Sequence, residues 1–461
     1  HEAWSDLVNQ HDRLGIMAPR DHSKCSTGGA LILAGDGSRV RTDEWRGGRV
    51  LAFDPATQKF RKVYSPAARR NGLRDVLRVT TRTGRKIMVT ENHPFLTFAG
   101  WRQADTLHAG ERIAVPYRTS LGLRKMVRGA WLLGLLVGDG GLKGGACRVT
   151  VADKKTVSAL RAEVAGMGLG WDVHSVSGSY AYSLSKQYAK RGGPCEWLRS
   201  HGLLGKGSHT KRVPQAIFKS SDATIAGYLA GYLDSDGCVS MHGGGSVSYG
   251  SVSEDLLRDT QHLLTRLGVV SVLGRRRGRY KGAVHWSWGL VIRGKDILRF
   301  AQAVKPRGKK NAELRRLVAT QLKRGVCSGR AVDCFPKDVW KLVQHGQDWF
   351  RRRGFRRPNR QYEPTREKLL SLAAAEKNEA LRRVAEADVL WDEIVSIEPA
   401  GKQETWSICV PGLENYVAED IVNHNSAVWS YAYILWRAYF WPRNELYLFS
   451  KTQEQANKLI G

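Results

Sequence analysis

Cysteine is sparse in this 461-residue chain: the seven cysteines are scattered, with no CxxC pair and no Cys/His cluster at zinc spacing. Neither a disulfide framework nor a metal knuckle is expected, and a reducing intracellular setting fits best. A long hydrophobic run is missing too. The most apolar stretch, 427–441, is interrupted by Arg437 and is short for a membrane span, so it reads as a buried helix with no secretory signal ahead of it. Acidic residues are the third deficit. Asp and Glu number 43 against 73 Lys and Arg, a formal net charge of +30, which points to a polyanionic partner. The basic runs 275–281, 305–310 and 351–360 would neutralise phosphates and release counterions, the source of salt-sensitive nucleic-acid affinity. No segment has the composition of a long disordered tract, and the length suits about three domains. The abrupt start at His1 and stop at Gly461 suggest a fragment of a longer product.

An internal repeat stands in the middle of the chain. Leu132-Leu-Gly-Leu-Leu-Val-Gly-Asp139-Gly140 aligns without a gap on Leu229-Ala-Gly-Tyr-Leu-Asp-Ser-Asp236-Gly237. Ala130, Gly134 and Gly138 correspond to Gly227, Gly231 and Ser235, so both copies put small residues on one helix face. Glycine inside a helix costs about 1 kcal/mol relative to alanine, and the natural compensation is close helix-to-helix approach. Face-to-face packing would bring Asp139 and Asp236 together at the helix ends. Two adjacent carboxylates repel, a divalent cation such as Mg²⁺ relieves the repulsion, and the result is a site for metal-assisted phosphodiester hydrolysis. Each Asp-Gly pair is followed by a strand-rich run and an amphipathic helix, expected at 156–169 and 253–269.

Outside the repeat lie two pieces that complete one another. Residues 14–18 form an apolar strand-like run, followed by Pro19-Arg-Asp-His-Ser-Lys24, the approach to a phosphate-binding loop. Such a loop needs Ser or Thr directly after its Lys to hold the Mg²⁺ of the nucleotide, but Cys25 follows Lys24 and the required hydroxyl stands at Ser426. Joining Lys24 to Ser426 gives a sequence that resembles the ATPase of phage terminase large subunits, although Ala18 and Ser23 replace the two usual glycines.

Between these flanks, Cys25-Ser-Thr-Gly-Gly opens a β-rich stretch that contains Thr90-Glu-Asn92-His93-Pro94, Gly100-Trp101 and 110–116. Asn415-Tyr-Val-Ala-Glu-Asp-Ile-Val-Asn-His424-Asn425-Ser426 closes it. The order resembles the splicing blocks of inteins, and the repeat is similar to the two-lobed LAGLIDADG homing endonuclease. The resemblance implies a mixed fold: an all-β, horseshoe-like Hint splicing domain with an inserted α+β two-lobed endonuclease, and short flanking pieces of an α/β P-loop ATPase. The expected division is an N-terminal flank 1–24, splicing domain 25–118, endonuclease 119–300, a basic accessory or linker segment 301–387, splicing domain 388–425 and a C-terminal flank 426–461.

The implied chemistry uses residue types suited to it. The Cys25 thiol attacks the Lys24 carbonyl and converts an amide to a thioester. By resemblance His93 assists the departing nitrogen while Thr90 and Asn92 hold the amide and its oxyanion. Ser426 then takes the acyl group, Asn425 cyclises onto its own carbonyl with help from His424, and an acyl shift restores a Lys24–Ser426 peptide bond. Splicing itself needs no cofactor; the spliced host would bind ATP and Mg²⁺ through Lys24 and Ser426. Two positions depart from the family pattern: Ser407 stands where an Asp is frequent and Glu414 where a His is frequent, with Cys409 nearby as a candidate substitute. Lys211, in Lys-Arg-Val-Pro214, matches a block with a frequently catalytic Lys. The implied partner is double-stranded DNA spanning the uninterrupted host junction, with no membrane, a monomeric state and a cytoplasmic location in a phage-infected or prophage-carrying bacterium. The competing readings are a packaging ATPase with an insert that never leaves, a free-standing nuclease and a signalling protein with a related autoprocessing domain.

Overall fold

The computed structural model describes residues 24–142, 147–186, 192–280, 283–324, 332–353 and 361–425. The expected ATPase pieces, 1–23 and 426–461, lie outside the described residues, together with Ser426 and the apolar stretch 427–441.

Among the described residues the chain is mixed, with every paired strand antiparallel, and it divides into an outer β unit and an inserted α+β unit. In the outer unit, residues from both ends of the chain share the same sheets. One sheet runs in the order Ser26–Thr27, Lys86–Thr90, Arg69–Thr81, Val389–Ser407, Arg112–Pro116, and Ser26–Thr27 also pairs with Val389–Ser407. The second runs Arg39–Arg41, Leu31–Leu33, Asn415–Ala418, Ile421–His424, Pro94–Thr97, Gly100–Gln103, so the C-terminal hairpin is held between N-terminal strands. Local sequence favours this: in Lys86–Thr90, Ile87 and Val89 alternate into the core with Phe95, Ile113, Leu390, Ile394, Tyr416 and Ile421. Pro116 is the register partner of Val389, the last pair between Arg112–Pro116 and Val389–Ser407.

The inserted unit is a duplicated arrangement. Helix Ala130–Asp139 precedes a four-stranded sheet and helix Lys154–Gly166; helix Asp222–Asp234 precedes a second four-stranded sheet and helix Glu254–Arg266. The two amphipathic helices begin at side-chain caps, with Asp153 accepting from the amides of Lys155 and Thr156, and Ser253 from that of Leu256. Ala130–Asp139 and Asp222–Asp234 pack against each other, and their glycines explain how closely. A Cβ on Gly134 would fall on the Tyr228 carbonyl, one on Gly231 on the Trp131 carbonyl, and one on Gly138 on the Ser235 hydroxyl.

The stretch expected as one accessory segment, 301–387, splits in two. Helix Lys310–Arg324 adds Leu314 and Leu317 to the core of the inserted unit. The described residues of 332–387 belong to the outer unit: Phe335, Val339, Trp340, Phe350, Leu369 and Leu372 pack with Val389, Trp391 and Val422. Of the aromatics in this stretch, Phe350 is fully buried, Trp349 stacks on His345 at 4.0 Å, Tyr362 is exposed, and Phe355 is outside the described residues. Arg366 is buried, donating to the carbonyls of Ala385, Ala387 and Val389 and pairing with Asp333. The basic character of this stretch is thus partly structural.

Adding one methyl group at the helix contact tests the packing. Gly134→Ala or Gly231→Ala is expected to destabilise the inserted unit by about 1–3 kcal/mol or more, read by denaturant unfolding, because backbone must move. Gly166→Ala, whose Cβ meets nothing within 4 Å, should cost nothing.

Candidate functional site

Cys25 is fully buried at the start of the outer unit. Its amide donates to Thr90 Oγ1 at 3.2 Å, the Thr90 amide returns a bond to the Cys25 carbonyl at 3.0 Å, and the Thr90 hydroxyl donates to Asn92 Oδ1 at 2.8 Å. Thr90 and Asn92 are therefore assembled on the bond between Lys24 and Cys25. A residue absent from the sequence reading completes the pocket: Asn71 Nδ2 lies 3.0 Å from Cys25 Sγ. Asn71 is aimed there by a bulge, since Thr405 pairs with Gly72 and Trp406 with Arg70, leaving Asn71 as the extra residue. Ser407 pairs with Arg69 on the same strands. Where the family's frequent carboxylate is missing, a neutral N–H donor faces the sulfur instead.

His93 is wholly buried, and burial pushes its imidazole down to about 3, against the opposing hydrogen bond to Asn423. Its Nε2 meets Asn423 Oδ1 at 3.2 Å, and Asn423 Nδ2 is committed to the carbonyls of Ala418 and Ile421 at 3.1 and 2.8 Å. The amide orientation is thereby fixed, His93 must carry its hydrogen on Nε2, and Nδ1 is left as a lone pair without a hydrogen-bond partner among the described residues.

At the other junction, His424 Nδ1 lies 2.6 Å from the carbonyl oxygen of Asn425, the group at which a bond to residue 426 would break. Only an Nδ1–H can donate to that oxygen. Burial lowers the His424 pKa, while the bond to Asn425 and the carboxylate of Glu414 oppose the drop. Glu414 Oε2 is 3.9 Å from His424 Nε2, and the Glu414 carbonyl accepts the Asn425 amide at 2.9 Å. Asn425 Nδ2 donates to Val410 at 3.2 Å and its Oδ1 is buried without a partner. Cys409 is half-buried, and burial with the nearby Glu414 charge raises its thiol pKa, which disfavours a thiolate nucleophile there.

In the inserted unit Asp139 and Asp236 are brought together at the ends of the packed helices. Burial, the Asp139 charge and a hydrogen bond between the two carboxyls push Asp236 up to about 6. Lys211 Nζ donates to the carbonyls of Gly138 and Gly140 at 2.8 and 3.2 Å. The sequence reading missed its counterpart, Lys310, whose Nζ donates to Leu233 and Ser235 at 2.8 and 2.6 Å. Each helix end thus carries an ammonium on its last carbonyls beside its aspartate, and burial lowers the pKa of both lysines against the pull of the two carboxylates. Lys310 is placed by Asp234, which accepts from the amides of Arg307 and Gly308 at 2.7 and 3.0 Å. The basic run 305–310 is therefore partly engaged within the fold.

Removing the donor to sulfur should be felt in one step. Asn71→Ala is expected to slow thioester formation at Cys25 about tenfold, since a charge-assisted hydrogen bond is lost; hydroxylamine release of the N-terminal fragment measures it. An unchanged rate would remove Asn71 from the chemistry. His93, neutral down to about pH 3, should give that rate no inflection near pH 6.5. Its effect on stability has the opposite sign from that of a salt-bridged histidine. Between about pH 6.5 and 3 the unfolded chain binds a proton the folded one refuses, so acidification in that window destabilises the fold.

The intein splicing domain family matches residues 31–425. The chain is 32% identical over 451 residues to the replicative DNA helicase DnaB of Rhodothermus marinus, an alignment covering 90% of this chain and 47% of the relative. It spans about half the length of the curated relatives it matches. Among solved structures, an Ssp DnaB mini-intein variant aligns at a TM-score of 0.29 and 14% identity, covering 88% of this chain and 100% of the other. Mesophilic variants of the homing endonuclease I-DmoI align at a TM-score of 0.30 and 17% identity, covering 41% and 96%. With a family match running from strand Leu31–Leu33 to Asn425 itself, the chain belongs to the intein splicing domain family.

Proposed function

We propose that residues 25–425 excise themselves by protein splicing and that the inserted unit is a LAGLIDADG-type DNA endonuclease. The observation that carries the splicing reading is the 2.6 Å contact from His424 Nδ1 to the Asn425 carbonyl. It aims a donor at the oxygen that gains charge when Asn425 cyclises.

In the first step Cys25 Sγ bonds to the Lys24 carbonyl carbon and the bond from that carbon to the Cys25 nitrogen breaks. The thiol proton ends on the departing nitrogen. A neutral imidazole with an open Nδ1 can carry it, so His93 acts as base and then acid without resting as an imidazolium. Thr90 accepts the amide hydrogen and holds the nitrogen in place. Ser426 Oγ then displaces the sulfur, giving an ester. Asn425 Nδ2 attacks its own carbonyl carbon, the bond to the Ser426 nitrogen breaks, and a succinimide is released. The Ser426 amine finally displaces its own ester oxygen, joining Lys24 to Ser426.

The Asp139–Asp236 pair fits a divalent cation, because burial and the Asp139 charge raise the pKa of Asp236 and a bound cation would relieve the repulsion. The described residues hold no cluster of three His, Cys, Asp or Glu side chains, so water and DNA phosphate oxygens would complete a Mg²⁺ shell. Bound there, the cation supplies Lewis acidity to phosphodiester hydrolysis. Lys211 and Lys310 keep the helix ends positively flanked, and the net charge of +30 suits a duplex DNA partner. No helix of the described residues is long and apolar enough to cross a membrane; a cytoplasmic, monomeric protein is part of this proposal. For the host, a P-loop ATPase rejoined at Lys24–Ser426 is the shared reading, whether a terminase, which the flanks resemble, or another DNA motor such as the helicases among the relatives.

Intact mass of the chain expressed in a reducing cytoplasm, beside Cys25→Ala and Asn425→Ala, tests the splicing. A 25–425 species plus a product joined at Lys24–Ser426 is expected from wild type and from neither variant; a persistent full-length chain that is folded overturns the reading. For the nuclease, Mg²⁺-dependent cutting of duplex DNA carrying the uninterrupted host junction is expected to fall at least about a hundredfold in Asp139→Asn or Asp236→Asn. Cutting that survives either change would place the reaction elsewhere.

A further inference from the structure

The hairpin that carries the C-terminal junction has a costly turn. Asn415–Ala418 pairs with Ile421–His424, and the two residues between them, Glu419 and Asp420, have φ of 50° and 54°. Such a two-residue turn ordinarily uses Asn and Gly, because a Cβ in the left-handed region is crowded. Here neither is present, so something outside the turn must hold it.

On the Glu419 side the Leu31 carbonyl accepts the turn's amide at 3.0 Å; on the Asp420 side what holds it belongs to the inserted unit. His262, fully buried on helix Glu254–Arg266, places Nδ1 2.7 Å from Asp420 Oδ1. Asp259, one turn earlier on that helix, binds Arg39 at 2.9 Å, and Arg39 reaches Glu419 at 3.3 Å. Arg212 binds the same Asp259 at 2.8 Å, so this acid is buried between two guanidiniums. Glu419 also accepts the Leu31 amide at 2.8 Å. The consequences reach the splicing centre within three residues. The carbonyls flanking the turn, of Ala418 and Ile421, orient Asn423, whose Oδ1 fixes His93; the next residues are His424 and Asn425.

We propose that helix Glu254–Arg266 of the endonuclease is a positioning element of the splicing centre, holding the Glu419–Asp420 turn in its left-handed form through His262 and through Asp259–Arg39. His262 and Asp259 are positioning residues: they touch no reacting atom. The inserted unit is therefore retained for splicing as well as for cutting DNA, and a chain that lost it would need a self-sufficient turn.

This rests on the splicing reading, and two readouts keep them apart. In the full chain with its flanks, Asp420→Ala removes the contact and keeps the Cβ, whereas Asp420→Gly removes both. Asp420→Ala is expected to slow release of the 25–425 species by about tenfold or more, and Asp420→Gly to stay within about threefold of wild type. His262→Phe should behave like Asp420→Ala, and adding Asp420→Gly to it should restore the rate. Hydrogen exchange of the 415–425 amides gives the same comparison without requiring splicing: protection should fall in Asp420→Ala and persist in Asp420→Gly. Ala and Gly variants that match each other in exchange, or a His262→Phe defect that Asp420→Gly does not repair, would overturn the proposal. A wild type that fails to splice while the exchange pattern holds would overturn only the splicing reading.

Discussion

The pairing of Arg69–Thr81 with Val389–Ser407 is the constraint on which the rest depends. It joins the first and last parts of the outer unit across the whole insertion. Loop-closure entropy grows only logarithmically with length, and an insertion that is itself folded brings its two ends back together. Pro116 faces Val389, and by residue 332 the chain is already packed on the outer unit again, so its return does not wait for this strand pairing. From this pairing follow the slot that receives Ser26–Thr27, the bulge that turns Asn71 toward Cys25, and the sharing of the second sheet by both halves. The described residues of 332–387 then cover the outer unit rather than linking it, with Arg366 tying the carbonyls of Ala385, Ala387 and Val389, on alternate residues of the returning chain, to one buried guanidinium.

The two candidate centres use burial in opposite ways. Around Cys25 and Asn425 it keeps both imidazoles neutral, so each nitrogen has a defined role as donor or acceptor: Nε2 of His93 toward Asn423, Nδ1 of His424 toward Asn425. Between the repeat helices burial instead forces two carboxyls into one space and raises the pKa of Asp236. That arrangement is unfavourable alone and suited to a cation, whereas the first is complete as it stands. The two proposed reactions, proton transfer within one chain and hydrolysis of an external polyanion, make these different demands.

Much of this was legible because the residues concerned are dictated locally. Gly134, Gly138 and Gly231 stand where another backbone or side chain occupies the space of a Cβ, so their spacing reported helix contact directly. Thr90, Asn92, His93, His424 and Asn425 were legible through their resemblance to the intein splicing blocks, and the structure sets Thr90 on the Cys25 amide and His424 on the Asn425 carbonyl. What escaped is set by register and by loops. Asn71 reaches Cys25 only because of a bulge, which depends on a strand more than three hundred residues away. Lys310 repeats the role of Lys211 at a spacing of 99 instead of the 97 that separates the aspartates, so a gapless alignment does not find it. Asn423 looks like part of a strand, and its use is visible only once Ala418, Ile421 and His93 surround it. The split of 301–387 escaped for the same reason: basic composition does not distinguish an arginine that meets phosphate from Arg366, which meets carbonyls.

The two departures from the family pattern amount to a relocation of charge. Ser407 carries no charge where an Asp is frequent, and the Cys25 sulfur instead receives a neutral donor, Asn71. The carboxylate appears instead at Glu414, 3.9 Å from the imidazole that donates to the Asn425 carbonyl. Negative charge beside His424 favours a proton on that ring, as the opposing shifts in its pKa show. It therefore assists the polarisation of the carbonyl at which Asn425 must close. In the proposed splicing, thiolate formation gains a donor at one end and asparagine cyclisation a carboxylate at the other. The exchange of residue types thus leaves each step with its electrostatic assistance, supplied by different atoms.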